Sequence, residues 1–262
     1  MRAYVVFLVL LLVKALSRAF YRIDMQWIGD VPPDPWRRIR LAAILNHTSL
    51  YEALFAGGCP NHFLWRIARH GVVPVAQKTT DRALVGRFYR MVAARVVAIS
   101  RERDETWGEV LRQIDPDAMV VILPEGRMKR ASGLDADGKP MTVRGGIADI
   151  LETMGEGRLL IAYSGGLHHV QVPGERFPRL FKTVRMRLEV VEIGDYRTAR
   201  LAEAGARGFR RAVVNDLERR RDRYCPVDAE SDPTAALTSP APSSPAPTLP
   251  PSPGEEGRKA GS

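Results

Sequence analysis

The sequence predicts an α/β fold in which a mainly parallel central sheet is flanked by helices. Two observations predict it: short apolar runs alternate with segments of helical period, and most of these runs are apolar without interruption, as in strands buried on both faces. At 262 residues, the chain can bury one full-sized core. We therefore expect an N-terminal apolar membrane-associated helix over residues 1–30, one main domain over residues 31–225, and a disordered Pro/Ser/Ala-rich tail over residues 226–262.

The N-terminal helix is predicted from a dense apolar block, Tyr4 to Val13, which Lys14 and Arg18 interrupt. A clean membrane span needs about 20 apolar residues, so this block indicates a helix in the membrane interface or a marginal span whose cations reach water. Trp27, further on, is typical of an interface anchor. A cleaved signal peptide is the rival interpretation, because Ala15-Leu16-Ser17 resembles a cleavage site, and a buried soluble helix is a third.

The central region predicts five strands and five helices. The strands lie near 39–45, 95–100, 118–123, 158–163 and 184–191, and the helices near 50–57, 80–93, 106–114, 143–154 and 198–223. Segment 184–190 alternates apolar and polar residues, so one of its faces should meet solvent. In a parallel sheet, functional side chains are expected in loops at the carboxyl ends of strands.

The net charge of +9 understates how basic the folded part is. From Pro226 onward there are two cationic and five acidic residues, so the preceding residues carry +12. Such a surface favours phospholipid headgroups, phosphorylated substrates or nucleic acid, or it is simply a solvated basic exterior. The two cysteines, Cys59 and Cys225, lie far apart without metal-ligand spacing, so we expect no disulfide framework, no metal and a reducing compartment.

The segment AILNHTSLYEAL places His47 directly after a predicted strand and Glu52 in the first turn of a helix. Contact between them requires His47 to lie outside the helix. Within one helix, a separation of five residues would place the two side chains about 140° apart around the helix axis. The positive end of that helix should oppose imidazolium formation and keep the ring available as a base, which Glu52 would orient. The alternative is purely structural: Ser49-x-x-Glu52 fits a capping box.

A second candidate is the segment MVVILPEGRMKR, in which Pro124-Glu125-Gly126 turns the chain after a buried strand. Arg127, Lys129 and Arg130 follow within four positions, and clustered cations after a glycine suit a phosphate group. Taken alone, the same residues are more typical of a common turn followed by a solvated loop.

Together the two segments resemble the glycerolipid acyltransferase family, which includes the lysophosphatidic acid acyltransferases. That family's first motif is Asn-His-x4-Asp and its third is Phe-Pro-Glu-Gly-Thr-Arg-Ser; here Asn46-His47 with Glu52, and Leu123-Pro124-Glu125-Gly126, stand in the same order. Between the motifs the family shows a lysine, a glycine and a short strand ending in arginine, and Lys78, Gly86 and Arg101 fill those places. The resemblance covers roughly residues 40–170.

The chain departs from the family pattern at three points. Glu52 replaces aspartate, so a carboxylate one methylene longer must be re-aimed to meet the imidazole. Arg127 and Met128 replace Thr-Arg, so either Arg127, Lys129 or Arg130 substitutes for the phosphate-binding arginine, or the acceptor has no glycerol phosphate. The fourth motif, an apolar strand ending in proline, is represented by residues 159–166, which lack the proline.

The resemblance implies acyl transfer from a thioester, acyl-CoA or acyl-carrier protein, to a hydroxyl of a lysophospholipid or related lipid, with the acyltransferase domain at residues 31–225. The implied catalytic residues are His47 and Glu52, and the implied substrate-binding residues are Arg101, Glu125, Gly126, Arg127, Lys129 and Arg130. We expect no cofactor beyond the acyl donor, no metal, and a location at the cytoplasmic face of a membrane, in phospholipid biosynthesis.

Three other functions are weighed against this one. The altered third motif also fits a catalytically weakened relative that binds membrane lipids through its basic surface. A nucleic-acid-binding protein is disfavoured by the apolar N-terminus and the scarcity of aromatic residues near the cations. Tyr163-Ser164-Gly165-Gly166 lacks the nucleophile elbow of a serine hydrolase, and the adjacent His168 and His169 are poorly placed to share a metal.

Overall fold

The structure of the protein, a computed structural model, describes residues 1–81, 83–100, 104–172, 175 and 177–226, the side chains of residues 84 and 85 excepted. The described part is built around a sheet with strands β1 (Arg22–Trp27), β2 (Ile39–Leu45), β3 (Gly71–Ala76), β4 (Arg95–Ile99), β5 (Met119–Ile122), β6 (Arg158–Ser164) and β7 (Thr183–Glu192). Their order is β1-β7-β6-β2-β5-β3-β4. Among these strands β6 and β7 pair antiparallel and all other neighbours pair parallel, which confirms the mainly parallel sheet.

The helices are α1 (Arg2–Phe20), a 3₁₀ helix (Leu50–Gly58), α2 (Asn61–His70), α3 (Gln77–Thr80), α4 (Ala83–Val92), α5 (Glu105–Arg112), α6 (Gly146–Thr153) and α7 (Ile193–Tyr224). The five predicted helices are all present, although the one expected at 80–93 is divided between α3 and α4. The last one contains a kink at Gly205, whose φ of 65° and ψ of 178° are not helical. Almost all of the tail predicted at 226–262 lies outside the described residues, which end at Pro226.

Two strands escaped the sequence prediction, each for a physical reason. In β1, Ile23, Met25 and Trp27 alternate with polar residues, a strand pattern that the sequence analysis assigned to the end of the membrane anchor. Trp27 instead packs within the domain against Trp36, with ring centroids 5.2 Å apart, which corrects its interpretation as an interface anchor.

The other missed strand, β3, contains Pro74, which lacks the N–H that a ladder needs. The strand tolerates it because pairing with β5 is confined to Gly71 and Val72, whereas pairing with β4 continues to Ala76. On the β5 side, the ladder therefore ends before the proline.

Both faces of the sheet are buried, which explains why its central strands are apolar throughout. One face packs against α5, α6 and α7; its main contributors are Leu41, Val120, Ile161, Val110, Ile150 and Val213. The other face packs near the 3₁₀ helix and α2; its main contributors are Ala42, Met119, Leu160, Phe55 and Phe63. Strand β7 alternates as predicted, with Val184, Met186 and Leu188 buried and the residues between them partly exposed.

Helix α1 is docked on the domain along one face. Val6 and Leu10 are buried against Ala56 and Leu64, while the helix is long and apolar enough to cross a membrane. An N-terminal helix that passes this test can be a membrane anchor or a signal sequence.

Three polar side chains in the second half of α1 bond to carbonyls in the 3₁₀ helix and the residue that follows it. Ser17 Oγ donates to the Leu54 carbonyl at 2.6 Å, and Arg18 Nε donates to the Gly57 carbonyl at 2.7 Å. Lys14 Nζ donates to the Cys59 carbonyl at 2.8 Å. These side chains therefore tie α1 to the middle and the end of the helix that begins beside His47.

Candidate active site

The candidate site lies where β2 and β5 end side by side. Because these strands are parallel neighbours, the chain after Leu45 and the chain after Ile122 emerge at the same edge of the sheet. The first forms the His47 loop (residues 46–49) and the second forms the Pro124–Gly126 turn. Asn46 begins the loop with a φ of 64°, a left-handed conformation that asparagine tolerates better than most residues.

The imidazole of His47 bonds directly to Glu52. The Nδ1 to Oε1 distance is 2.8 Å, and the two side chains are only 12% and 8% exposed. A carboxylate can only accept, so Nδ1 carries the proton and Nε2 is the nitrogen with a free lone pair. The longer glutamate therefore reaches the ring, and the tautomer it selects is the one that a general base at Nε2 requires.

The same carboxylate also caps the 3₁₀ helix. Glu52 Oε1 accepts from the backbone N–H groups of Thr48 at 3.2 Å and Ser49 at 3.1 Å, while Ser49 Oγ accepts from the Tyr51 N–H. The capping box is complete, so the structural interpretation of Glu52 is confirmed. It does not compete with the ring contact, because one oxygen serves both.

The pKa of His47 is raised above its ordinary value. Burial, the largest influence, lowers it, but the charge and hydrogen bond of Glu52 and the charge of Glu125 together outweigh burial. The expectation that the helix terminus would leave the ring less basic is therefore wrong in its net direction. Two carboxylates within reach favour the imidazolium more strongly than burial disfavours it.

Glu125, predicted to bind substrate, is buried beneath the loop with a 1% exposed side chain. Its Oε2 accepts from the His47 N–H at 2.8 Å and its Oε1 from the Asn46 N–H at 3.2 Å. Arg221 Nη1 on α7 lies 3.3 Å from Oε1 and also donates to the Met141 carbonyl. The structure therefore joins the two motifs through backbone: the carboxylate of the second holds the loop of the first.

The His47 ring opens into a cleft of about 400 Å³, the front cleft. Gly126 lies at its edge with a φ of 63°, a conformation that favours glycine. Much of the wall is apolar; its members include Leu50, Val73, Val75, Ile99, Trp107 and Ile122. The cleft also presents three guanidinium groups, those of Arg127, Arg144 and Arg210.

Arg127 is largely neutralised within the chain. Its guanidinium forms an ion pair with the buried Asp135, and Asp137 lies 3.8 Å away. The Lys139 backbone N–H, followed by the Arg127 side chain, lowers the pKa of Asp135 to about 2 against the opposing effect of burial. This pair consequently persists at neutral pH, and Arg127 contributes less free positive charge to the cleft than its position in the sequence suggests.

Arg144 and Arg210, which the sequence analysis missed, supply the remaining cations. The Arg144 backbone N–H donates to the Pro124 carbonyl at 2.7 Å, and its side chain is exposed, with no acidic partner among the residues that the structure describes. Arg210 lies 3.3 Å from the buried Asp149, and a Cβ at Gly145 would overlap its guanidinium. The sequence Arg144-Gly145-Gly146, at the start of the predicted helix 143–154, was the signal that could have identified Arg144 as a site residue.

Lys129 and Arg130 line a different space from the His47 ring. Both line a second cavity of about 610 Å³ on the other side of the His47 loop, the rear cavity, bounded also by Asn46, Thr48 and Arg221. Among the residues that the structure describes, none lines both spaces. Of the three cations predicted to follow the turn, only Arg127 therefore shares a cleft with the ring.

The remaining predicted positions are less informative. Arg101 lies outside the described residues. Lys78 is exposed on α3, whereas Thr79 beside it lines the front cleft. Gly86 allows α4 to approach the Thr80 carbonyl, which a Cβ would overlap.

Tyr89 on α4 is a further cleft residue that the sequence did not single out. Burial and then the charge of Glu52 raise its pKa, so the phenol stays protonated. Glu52 Oε2 is buried and accepts no hydrogen bond within the described part of the chain. The Glu52 carboxylate therefore has acceptor capacity that the His47 loop leaves unused.

Comparison with known proteins identifies a solved structure with a similar fold. No model of a protein family matches the chain, and no curated protein matches it in sequence. Among solved structures it is similar to the 1-acyl-sn-glycerophosphate (LPA) acyltransferase PlsC from Thermotoga maritima, with 16% identity over 82% of this chain and 80% of that one, and a TM-score of 0.50. The chain thus has a fold like that of this acyltransferase.

Proposed function

We propose that the protein is an acyltransferase that moves a fatty acyl group from a thioester to a hydroxyl of a lysophospholipid or related acceptor. One observation carries the proposal: the 2.8 Å contact between His47 and Glu52 leaves Nε2 as the basic nitrogen of a ring that lines the front cleft. The resemblance of the two motifs and the PlsC-like fold support it.

In the proposed reaction, Nε2 of His47 removes the acceptor's hydroxyl proton as the oxygen attacks the thioester carbonyl. Glu52 stabilises the imidazolium that forms. The tetrahedral intermediate then collapses, expelling the thiolate, which takes the proton back from Nε2. The products are an ester and a free thiol, and no acyl-enzyme is required.

The walls of the front cleft fit both parts of such substrates. Its apolar side chains suit an acyl chain, whereas Arg144 and Arg210 suit a phosphate. We assign the acceptor phosphate chiefly to Arg144, with Arg210 and Arg127 contributing less because Asp149 and Asp135 hold them. The donor, acyl-CoA or acyl-carrier protein, is proposed from the family resemblance alone.

We further propose that α1 lies in the membrane interface. Its outward residues recur about every four positions and form one stripe, each side chain between 37% and 65% exposed: Tyr4, Leu8, Leu12, Leu16 and Phe20. Because the opposite face of α1 packs on the domain, this placement would hold the domain at the lipid surface without a full span.

Acyl transfer tests the proposal directly. Purified protein is incubated with radiolabelled acyl-CoA or acyl-carrier protein and a panel of lysophosphatidic acid, lysophosphatidylcholine and monoacylglycerol. We expect transfer to a phosphate-bearing acceptor and its loss in His47→Ala. His62→Ala, which changes an exposed histidine on α2, is the matched control and should transfer normally. Equal rates in the two variants would remove His47 from the mechanism.

Arg144→Gln tests the assignment of the acceptor phosphate. Because this guanidinium has no acidic partner in the described structure, its removal should leave the melting temperature unchanged. We expect KM for lysophosphatidic acid to rise about 10-fold, in keeping with one charged hydrogen bond of 1.5–3 kcal/mol, while KM for monoacylglycerol stays constant. Arg211→Gln, one position from Arg210 and exposed, is the control. An unchanged KM in Arg144→Gln would contradict the assignment.

Flotation with liposomes tests the membrane assignment. Leu8→Lys/Leu12→Lys places two cations in the outward stripe of α1 and should move the protein from the liposome fraction to the soluble fraction. The control, Leu201→Lys, changes an exposed leucine on α7. The intact mass of the membrane-bound protein distinguishes an anchor from a signal peptide. A cleaved signal peptide would lower this mass, whereas a retained anchor would not.

A catalytically weakened lipid-binding relative remains the second candidate, because Met128 occupies the place of the family's arginine and Asp135 holds Arg127. The same assays separate the two functions. Liposome binding without transfer to any acceptor by the unaltered protein would favour the second.

A further inference from the structure

The rear cavity, of about 610 Å³, lies beside the His47 loop on the side away from the front cleft. The proposed reaction does not use it, because the His47 ring faces the front cleft. Its lining is polar and carries three cations and one carboxylate, Asp222. Gly165 and Gly166 form part of the wall without side chains that would fill it.

The positive charge of this cavity is only partly compensated within the described part of the chain. Lys129 and Arg130 are half-buried, and neither has an acidic partner among the described residues. The third cation, Arg221, is already paired with Glu125 and Asp222. Two free positive charges therefore face a partly enclosed space, where an anion would interact more strongly than at an open surface.

The hydrogen-bond donors of the cavity match a tetrahedral oxyanion. Arg130 offers a planar fork and Lys129 a point charge with three donors. The hydroxyl of Ser132 lies on the same wall, in a turn closed by the Gly133 N–H and the Arg130 carbonyl at 2.9 Å. Such a mixed donor set suits the several acceptor oxygens of a phosphate, and the volume leaves room for the group that carries it.

We propose that the rear cavity is a second anion site, which binds the phosphate of a phosphate monoester through Lys129 and Arg130. The monoester is either a soluble compound or the headgroup of a lipid. This site is distinct from the front cleft, and the proposal does not rest on the proposed acyl transfer.

Two hydrogen bonds connect this site to the catalytic loop. The Lys129 backbone N–H donates to the His47 carbonyl at 2.7 Å, and His168 Nε2 lies 2.8 Å from the Lys129 carbonyl, to which it donates. A phosphate held by the Lys129 side chain would therefore restrain the backbone that carries His47. We expect slower amide hydrogen exchange in segments 127–134 and 46–49 when phosphate is bound.

Calorimetric titration of the full chain tests the site, with inorganic phosphate and glycerol phosphate as probes at constant ionic strength. We expect Lys129→Gln/Arg130→Gln to weaken phosphate binding at least 10-fold and to abolish the change in exchange at segment 127–134. Arg207→Gln/Arg211→Gln, which removes the same charge from exposed positions on α7, should bind as the unaltered protein does. Arg144→Gln should keep binding at the rear cavity while losing any at the front cleft.

A second arm distinguishes the two sources of phosphate. Phosphatidylcholine vesicles with and without phosphatidic acid are compared for flotation of the unaltered protein and of Lys129→Gln/Arg130→Gln. A loss of binding to phosphatidic acid in this variant identifies a lipid headgroup, whereas a loss confined to the soluble probes identifies a soluble monoester. If the variant matches the unaltered protein with every probe, or if the α7 control loses as much affinity, there is no such site.

Discussion

Two regions hold the His47 loop with a buried glutamate each, and they hold it differently. At the start of the 3₁₀ helix, Glu52 uses one oxygen to meet the His47 ring and two backbone N–H groups, and its other oxygen has no described partner. In the Pro124–Gly126 turn, Glu125 uses both oxygens on backbone N–H groups and faces Arg221. The first carboxylate acts on the charge of the ring, and the second acts on the position of the loop.

This difference predicts opposite responses to the same change, glutamate to glutamine. A glutamine has one acceptor oxygen and one donor nitrogen. At position 52 the oxygen can keep all three hydrogen bonds and only the charge is lost. At position 125 the amide nitrogen must confront a backbone N–H group or Arg221.

The largest expected effect is the loss of stability in Glu125→Gln. The substitution breaks the buried ion pair with Arg221 and turns an amide N–H toward another hydrogen-bond donor. Together these should lower the free energy of unfolding by about 3–5 kcal/mol. Denaturant unfolding measures it, and adding Arg221→Gln to Glu125→Gln should recover little because a backbone N–H group loses its acceptor whichever oxygen the amide nitrogen replaces. A loss below about 1 kcal/mol would show that Glu125 does not fix the loop.

Glu52→Gln should instead spare stability and reduce catalysis. Because the geometry is retained, we expect the free energy of unfolding to change by less than about 1 kcal/mol at a pH where the His47 ring is neutral. The acyl-transfer rate should fall on the order of 10²-fold, since the imidazolium formed during proton removal loses its counter-charge. The single-turnover rates of Glu52→Gln and of the unaltered protein measure this fall in rate. A large fall in melting temperature with normal transfer would leave Glu52 only its capping role.

The pH dependence should follow the raised pKa of His47. Transfer requires the neutral ring, so its rate should increase with pH through a midpoint above the ordinary histidine value of about 6.5. Glu52→Gln removes the larger of the two carboxylate influences and should move this midpoint to lower pH more than Glu125→Gln does. A pH–rate profile for each active variant measures the shift, and an unmoved midpoint in Glu52→Gln would contradict the ring contact.

The same pKa has a consequence for stability. A histidine with a raised folded pKa contributes stability that is fully present below its unfolded pKa and is lost as pH rises through its folded pKa. Unfolding experiments over this range should therefore show a decline in the unaltered protein that is weaker in Glu52→Gln.

The smallest effect is expected for Glu52→Asp, which installs the family's own residue. The shorter side chain keeps the charge but withdraws the carboxylate by about one bond length, so the three contacts at Oε1 lengthen together. We expect a rate loss of about 10-fold or less and a loss of roughly 1 kcal/mol from the helix cap. A rate above that of the unaltered protein would mean that this loop is better suited to aspartate.

The strands and the two motifs were accessible from the sequence because they depend on local pattern. Continuous apolar runs predicted β2, β4, β5 and β6. Burial on both faces holds for β2, β5 and β6, whereas β4, at the edge of the sheet, is only partly buried. The pattern failed at β3, where Pro74 conceals a strand whose second partner ends early. It also failed at β1, where a membrane interpretation of Trp27 took precedence over the alternation of Ile23 and Met25.

The site was predictable in part. The spacing from His47 to Glu52, and the placement of both motifs after strands, brought the correct loops to one edge of the sheet. Spacing along the chain could not tell that Glu125 turns inward to the backbone of His47, or that Arg127 is held by Asp135. Both depend on contacts that form only after the loops have packed.

The sequence by itself determined that the His47 loop and the Pro124–Gly126 turn lie at the carboxyl edge of the sheet, because strand pattern and parallel pairing fix where each loop emerges. Only the tertiary structure decided which of those side chains share a cavity. Lys129 and Arg130 directly follow the turn but line the rear cavity, whereas Arg144 and Arg210 come from later in the chain to line the front cleft. The reason is physical: the direction of a side chain in a loop is set by long-range packing, here by α6, α7 and the backbone of the His47 loop.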